Sequence, residues 1–435
     1  MMMLATTIAP LFGAHVAYLQ KGYEAAMATH GFDAIILCSG SAHLKNRFDD
    51  QSWPLSPTPA FSHWCPLVEA DAFLVIRAAT KPMLVRTVAD DFWETSALPE
   101  SDHFWPAFDL VEVKSGLAGD ALPGGRVAVI TRDPGTSPPG AVNPPALITA
   151  LDLLRTKKTP YEIECLAVAS VRAAKGHKHV AAVFQSGTPS ELELHLAYLQ
   201  ASEQDDATAP YKNIVALGQH AAVLHYVAYE RAHVDGDTSF LIDAGAKVLG
   251  YGSDITRTHV RGKSSAAKRF KELLAHIDAL QQQICRAIRP HLSYEDLHDE
   301  AHRMLANSLR DTGIVRGGTD ELVARGITRA LFPHGLGHSL GITVHDAGMK
   351  PRPPRPENRF LRTTSVIEVG QVFTIEPGVY IIDALLGPLQ ADDRRELVDW
   401  SAIADLRQFG GIRIEDNILV EPGGIRNLTR EAFAA

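Results

Sequence analysis

Five short segments of this 435-residue chain concentrate acidic and imidazole side chains. Phe240-Leu241-Ile242-Asp243-Ala244-Gly245 is followed at Gly250 to Thr258 by a second stretch carrying Asp254. Read as the arms of a hairpin with a symmetric turn between Val248 and Leu249, they set the two aspartates opposite each other, with Cβ atoms ~5 Å apart. Like charges that close raise one pKa unless a cation sits between them; the plainer alternative is that both carboxylates cap turns of a Gly-rich hairpin. Pro333 to Asp346 carries His334, His338 and His345 among Gly335, Gly337 and Gly341. His334 and His338 have the spacing of a zinc-binding helix, but the glutamate expected after the first histidine is missing and the glycines disfavour a helix. A loop-borne histidine site, able to ligate metal or move protons, is the better expectation. Phe373 to Gly378 and Gly410 to Asn417 each end an apolar strand-like run on a glutamate, Glu376 and Glu415. Strand alternation sets Arg413 on the face of Glu415; the alternative is a pair of edge-strand glutamates with Arg413 as ion-pair partner.

These residues need a scaffold, and the sequence divides near residue 155. Before it come short β-like runs at Asp33 to Cys38, Phe73 to Arg77, Met83 to Thr87 and Val127 to Thr131, with an amphipathic helix from about His15 to His30. Residues 1–155 are therefore expected to form a modest mixed α/β domain. The Pro- and Gly-rich stretch Asp133 to Pro145 reads as a loop, followed by a helix over Ala146 to Arg155. A new helix starts at Thr159-Pro160-Tyr161-Glu162, with Thr159 as N-cap, proline at the first turn and Glu162 closing a capping box. The same device is expected at Thr188-Pro189-Ser190-Glu191 and, more loosely, at Ser293 to Asp296. Residues 156–435 form the second, larger domain, which holds all the concentrated chemistry.

Composition narrows the function classes. A hydrophobic fraction of 46% and a charged fraction of 21% are ordinary for a globular enzyme. Acidic residues outnumber basic ones, 51 against 42, and no long basic run appears, which argues against a nucleic-acid partner. Cys38, Cys65, Cys165 and Cys285 are scattered without a C-x-x-C pair, so reduced thiols are expected rather than a disulfide framework. The first twenty residues lack the basic start and clean apolar core of a signal peptide, and no run reaches the roughly 18 apolar residues of a membrane span. A cytoplasmic protein is expected.

Taken together, Asp243, Asp254, His338, Glu376 and Glu415, each within its motif, resemble the ligand set of the pita-bread metallopeptidases, the group of methionine aminopeptidase, aminopeptidase P and prolidase. The similarity is strongest to bacterial Xaa-Pro dipeptidases (prolidases). It extends to Pro210 to Leu217, His220 to Tyr226 and Gly410 to Asn417, and more weakly to Phe48-Asp49-Asp50 in the first domain. The resemblance implies an α+β fold, with a smaller α/β domain before a catalytic pita-bread domain of helices around a curved antiparallel sheet. It implies two divalent metal ions, with Asp243 on one, Asp254 and Glu415 bridging, and His338 and Glu376 completing the second. Four carboxylates balance two such ions, and oxygen-rich ligation with one imidazole suits a hard ion such as Mn²⁺.

The activity so implied is hydrolysis of Xaa-Pro dipeptides by a metal-bridging hydroxide. Glu376 would shuttle the proton, and His225 and His345 would stabilise the tetrahedral intermediate. Tyr211 and His334 would line the substrate pocket. Arg362, in Leu361-Arg362-Thr363-Thr364, would clamp the substrate carboxylate, with Arg413 as second candidate. The usual second arginine, three residues after Arg362, is replaced by Ser365. Organophosphorus triesters are an implied side substrate, and a homodimer in which the loop near Asp50 reaches the partner is implied as well. Two other readings are an aminopeptidase P-like enzyme acting on longer peptides and a metal-free binding protein on the same fold.

Overall fold

The computed structural model describes residues 4–88, 99–114 and 121–435. The chain folds as two compact units, one running up to Cys165 and including Val248–Tyr251, the other made of Leu166–Lys247 and Gly252–Ala435. The first unit is built on a six-stranded mixed sheet in the order β4-β3-β2-β1-β5-β6. Its strands are β1 (Ala34–Cys38), β2 (Phe73–Arg77), β3 (Met83–Thr87), β4 (Asp109–Val113), β5 (Val127–Ile130) and β6 (Ala141–Val142). The apolar runs supply β1, β2, β3 and β5. Strand β4 escapes sequence reading because Asp109 and Glu112 break up its apolar residues and little of it is buried, and β6 is a two-residue edge inside the Pro/Gly-rich loop. Helices α1 (Phe12–His30), α2 (Pro59–Trp64) and α3 (Pro145–Leu153) complete the unit.

Helix α4 (Pro160–Ser186) starts on the expected capping box: Glu162 accepts from the Thr159 N–H (2.8 Å) and donates its own N–H to Thr159 Oγ1 (3.4 Å). The second box lies two residues later than the sequence suggested. Ser190, not Thr188, caps α5 (Glu191–Ala201), with Glu193 reaching back to the Ser190 N–H. Glu191 is thereby released from capping. It is buried and accepts from the Leu217 and Glu230 N–H groups, His220 Nδ1 and Tyr226 Oη, all at 2.7–2.8 Å.

In the second unit, α6 (Ser265–Ala287) buries Phe270, Leu273, Ile277, Leu280 and Ile284, a stripe at helical spacing. Helix α7 (Tyr294–Asp311), capped by Ser293, buries Leu297, Ala301, Leu305 and Leu309. Both pack into one large core with Phe373, Ile375, Ile412 and Ile418 from the strands. The strands are β7 (Ile214–Leu217), β8 (Thr238–Asp243), β9 (Lys247–Val248), β10 (Tyr251–Gly252), β11 (Thr256–Arg261), β12 (Val372–Ile375), β13 (Gly378–Tyr380), β14 (Gly411–Arg413), β15 (Asp416–Glu421) and β16 (Gly424–Asn427).

Register in these strands fixes the chemistry. The hairpin turns one residue later than a symmetric reading gives, because Leu249 (φ 51°) and Gly250 (φ 93°) take the left-handed conformations of a two-residue turn. Asp243 therefore faces Thr256, not Asp254. A one-residue shift of the turn changes the partner by two, so Asp254 stays on the same face as a diagonal neighbour. Strands β12 and β15 pair Ile375 with Asp416, while β13 and β14 pair Gly378 with Arg413. Both ladders share one register, and between them Glu376 falls opposite Glu415 at a break where Pro377 has no N–H to donate. Among the described residues no helix is long and apolar enough to cross a membrane.

Candidate metal centre

The histidine segment runs beside β12 as an added strand. Leu340, Thr374 and Glu376 donate their N–H groups to Val372, His338 and Leu336 carbonyls at 2.8–3.0 Å. His338 thus lies opposite Thr374, one turn of the pleat from Glu376. A Cβ on Gly337 would overlap the Thr374 carbonyl and the Tyr294 hydroxyl, so only glycine allows this approach. The non-helical backbone removes the zinc-helix geometry, as the missing glutamate suggested.

Asp254, His338 and Glu415 converge, with ligand atoms all within 4.8 Å of one another. His338 Nε2 lies 3.3 Å from Asp254 Oδ2, 3.8 Å from Glu376 Oε1 and 3.9 Å from Glu415 Oε1. Its Nδ1 stands 3.1 Å from the Ser339 carbonyl. Only a protonated Nδ1 can make that bond, which leaves the Nε2 lone pair facing three carboxylates. Asp243 joins them through Tyr211, whose hydroxyl lies 2.7 Å from Asp243 Oδ1 and 2.5 Å from Asp254 Oδ1. One phenolic proton cannot serve both carboxylates at once.

Electrostatics points the same way. Burial, then the charge of Asp243, raises the Asp254 pKa well above the ordinary carboxylate range. Burial, then Asp254, does the same for Glu415, and burial, then Glu415, for Glu376. His338 is lowered by burial, against the pull of Glu376. Among the described residues Arg413 is the cation paired with this cluster, and its NH2 sits 2.6 Å from Asp243 Oδ2. Its other donors reach Thr256 Oγ1 (3.1 Å) and Tyr380 Oη (3.0 Å). Arg413 is thus the ion-pair partner of Asp243 rather than of Glu415, because the Thr256 hydroxyl stands between them and donates to Glu415 Oε2 (2.8 Å). Four carboxylates against one guanidinium, with an imidazole lone pair aimed among them, form a donor set suited to divalent cations.

The remaining expected residues surround this cluster. His334 is held by the Gly335 carbonyl (2.8 Å) and by Tyr380 Oη (2.7 Å), 3.7 Å from Glu376 Oε2. Burial, then Arg413, lowers its pKa to about 3. His345 packs edge-on against His338, with centroids 4.4 Å apart at 86°. Desolvation, then the charges of His338 and Arg362, lowers its pKa. His225 is exposed in the turn after the Gly218–Ala222 helix, with its charge felt at both His334 and His345. Arg362 is exposed and lowers the pKa of His338 and His345.

Sequence reasoning missed Tyr380 and Thr256. Tyr380 links Arg413 to His334, and Thr256 links Arg413 to Glu415. A signal for Tyr380 was present: Glu376, Gly378 and Tyr380 alternate along one strand and so share a face. Thr256 required the true hairpin register.

Antiparallel strands packed against helices, carrying this oxygen-rich centre, define a class of metallopeptidase. Residues 164–422 match the model of metallopeptidase family M24, and the chain belongs to that family. Residues 10–153 match the N-terminal domain of Xaa-Pro dipeptidase. Its relatives include proteins named Xaa-Pro dipeptidase from Marinobacter nauticus, 41% identical over 96% of this chain and 97% of that protein, and from Stenotrophomonas maltophilia strain K279a, 37% identical over 98% of each. Among solved structures, Pseudomonas aeruginosa aminopeptidase PepP is similar with a TM-score of 0.73 at 23% identity, covering 97% of each chain. Proline aminopeptidase P II from Yersinia pestis gives 0.70 at 22%, covering 96% of each. These last two establish the fold, a pita-bread domain preceded by an N-terminal domain, and the family makes the protein a metallopeptidase.

Proposed function

We propose that this protein is an Xaa-Pro dipeptidase with a dinuclear centre, residues 1–155 being its N-terminal domain and 156–435 its catalytic domain. The observation that carries the reading is the convergence of Asp254, His338 and Glu415, in a chain whose full-length relatives bear that name. Asp243 would hold one ion and His338 and Glu376 the other, with Asp254 and Glu415 within reach of both. The ions are taken to be Mn²⁺, in keeping with four carboxylates and one imidazole. When bound, such ions supply an acidified water as nucleophile and polarise the scissile carbonyl.

The chain's own groups do the rest. Glu376, whose pKa is raised by burial and by Glu415, is suited to accept a proton and return it to the leaving imino nitrogen. His225 and His345 are the proposed donors to the developing oxyanion. His334 lines the pocket with its tautomer set by the Gly335 carbonyl. Tyr211 and Arg413 are proposed to border the substrate pocket, and their contacts to Asp243 and Asp254 support a role in orienting the carboxylates as well.

Arg362 is the proposed clamp for the dipeptide's free carboxylate. Supporting this, its neighbours Arg352 and Arg355 are engaged by carboxylates and Arg359 stacks on Phe360, whereas the Arg362 guanidinium has no hydrogen bond or ion pair among the described residues. A homodimer is supported by the apolar surface of the His43–Trp53 loop, where Leu44, Phe48 and Trp53 are exposed. Four buried, unpaired cysteines fit a reducing cytoplasm. Organophosphorus triesters are proposed as a side substrate, since phosphorus accepts the same nucleophile.

The test is an assay of Mn²⁺-loaded protein on Xaa-Pro dipeptides and Xaa-Pro-Xaa tripeptides, with Asp254→Asn as control. Cleavage of dipeptides by the native protein alone is expected. Preference for tripeptides, with no effect of Arg362→Ala, would favour an aminopeptidase P-like enzyme, and equal activity in the control would overturn the metal centre.

A further inference from the structure

The segment leading to Arg362 is unusually rich in proline and arginine, and a single buried carboxylate holds it. Glu295, in the first turn of α7, is 0% exposed. Its Oε1 accepts from the Arg355 N–H (2.6 Å) and from Asn358 Nδ2 (3.4 Å), while its Oε2 pairs with Arg352 NH1 (2.7 Å). Arg355 extends across the same helix face to Asp296 (3.1 Å) and Asp299 (2.6 Å). The chain on the other side of Arg362 is tied to the same place. Tyr294 donates its N–H to the Ser365 carbonyl, Ser293 bridges Val366, and Ile367 donates to Leu292. Between these anchors Leu361 packs its backbone against Gly335, next to His334. The start of α7 thus fixes both ends of a short arch whose one unengaged cation is Arg362.

Burying a carboxylate completely is costly unless charge and hydrogen bonds compensate it. Burial alone would push the Glu295 pKa up, but the Arg355 N–H and the Arg352 and Arg355 charges hold it below the usual range. We infer that Glu295 is a positioning residue for substrate recognition: through Arg352, Arg355 and Asn358 it sets the arch that presents Arg362 to the C-terminal carboxylate of a dipeptide. This rests on the dipeptidase reading of Arg362. One guanidinium suffices for such a clamp when its backbone is held at both ends.

The experiment compares a cleaved Xaa-Pro dipeptide with its C-terminal amide, which has no carboxylate, in Mn²⁺-loaded full-length protein. Glu295→Gln is expected to raise KM for the dipeptide about tenfold, a loss in the range that misplacing a binding group produces. Hydrolysis of the amide is expected to be unchanged, which also certifies the fold. If Glu295→Gln does not fold, Arg355→Gln keeps the backbone contact but cuts the ties to Asp296 and Asp299, and the same selective rise in KM is expected. In an Arg362→Ala background neither change should cause any further dipeptide-specific loss. Equal losses on dipeptide and amide, or none on either, would overturn the positioning role. If Arg362→Ala itself fails to discriminate the two substrates, the clamp assignment falls instead.

Discussion

Each unit of this protein buries a carboxylate against imidazoles, and the two clusters are built to opposite ends. In the first unit Glu162, His15 and His63 are all nearly inaccessible. Glu162 has His63 Nε2 at 3.3 Å and His15 Nδ1 at 3.9 Å, and accepts the Thr159 N–H at 2.8 Å. Burial would push its pKa up, but His63, Lys158 and His15 together bring it down to about 2. In the second unit, Asp254, Glu376 and Glu415 are raised, first by burial and then by the other carboxylates each faces, while Arg413 makes its ion pair with Asp243. The first cluster is closed, with its charge answered by the protein. The second is open, with charge left for a cation to answer. Burial and residue type do not distinguish a structural ion pair from a metal centre; the balance of charge does.

That contrast can be broken by exchange of single groups. Glu376→Gln removes a proposed ligand and proton carrier, and kcat should fall more than about 100-fold, since even outer-shell changes at metal sites cost 10–100-fold. A kinetic assay at saturating Mn²⁺ checks this, and a fall of less than tenfold would remove Glu376 from the centre. Glu162→Gln should act on stability alone. Breaking a buried pair costs about 3–5 kcal/mol, measurable by urea unfolding, with kcat unaltered in the folded fraction.

The pH dependence has a defined sign. Both Glu162 (about 2 against 4.5) and His15 (about 4 against 6.5) have depressed folded pKa values. The unfolded chain therefore binds more protons as pH falls, and stability is lost, through His15 between pH 6.5 and 4 and through Glu162 between 4.5 and 2. The Glu162 part amounts to about 3 kcal/mol, and Glu162→Gln should flatten that acid limb. Tyr380→Phe carries the smallest effect. It leaves His334 Nε2 and Arg413 NH1 without their shared partner, and about a tenfold drop in kcat/KM is expected, a cost of the size of one unsatisfied buried group.

The contrast also explains what was legible in advance. Ligand identity was readable because each of Asp243, Asp254, His338, Glu376 and Glu415 sits in a local motif, and strands such as Phe73–Arg77 because β-branched and apolar runs leave little choice. Partnership was harder. The hairpin register turned on Leu249, a non-glycine residue in a left-handed turn conformation, so the Asp243–Thr256 pairing lay out of reach. The cap at Ser190 in place of Thr188 followed from tertiary demand for Glu191 as a four-fold acceptor. The Glu162 cluster looked like a capping box and nothing more, because His15 and His63 lie far from it in sequence.

The most direct test follows thermal unfolding of chelator-treated protein during titration with Mn²⁺, native against Asp254→Asn. Without metal, the variant should unfold at the higher temperature, since it relieves a buried like-charge contact. Mn²⁺ at about 100 times its Kd should stabilise the native chain by about 2.7 kcal/mol and move Asp254→Asn far less, reversing their order. A native protein indifferent to Mn²⁺, or an Asp254→Asn variant less stable than the native chain without metal, would contradict the account.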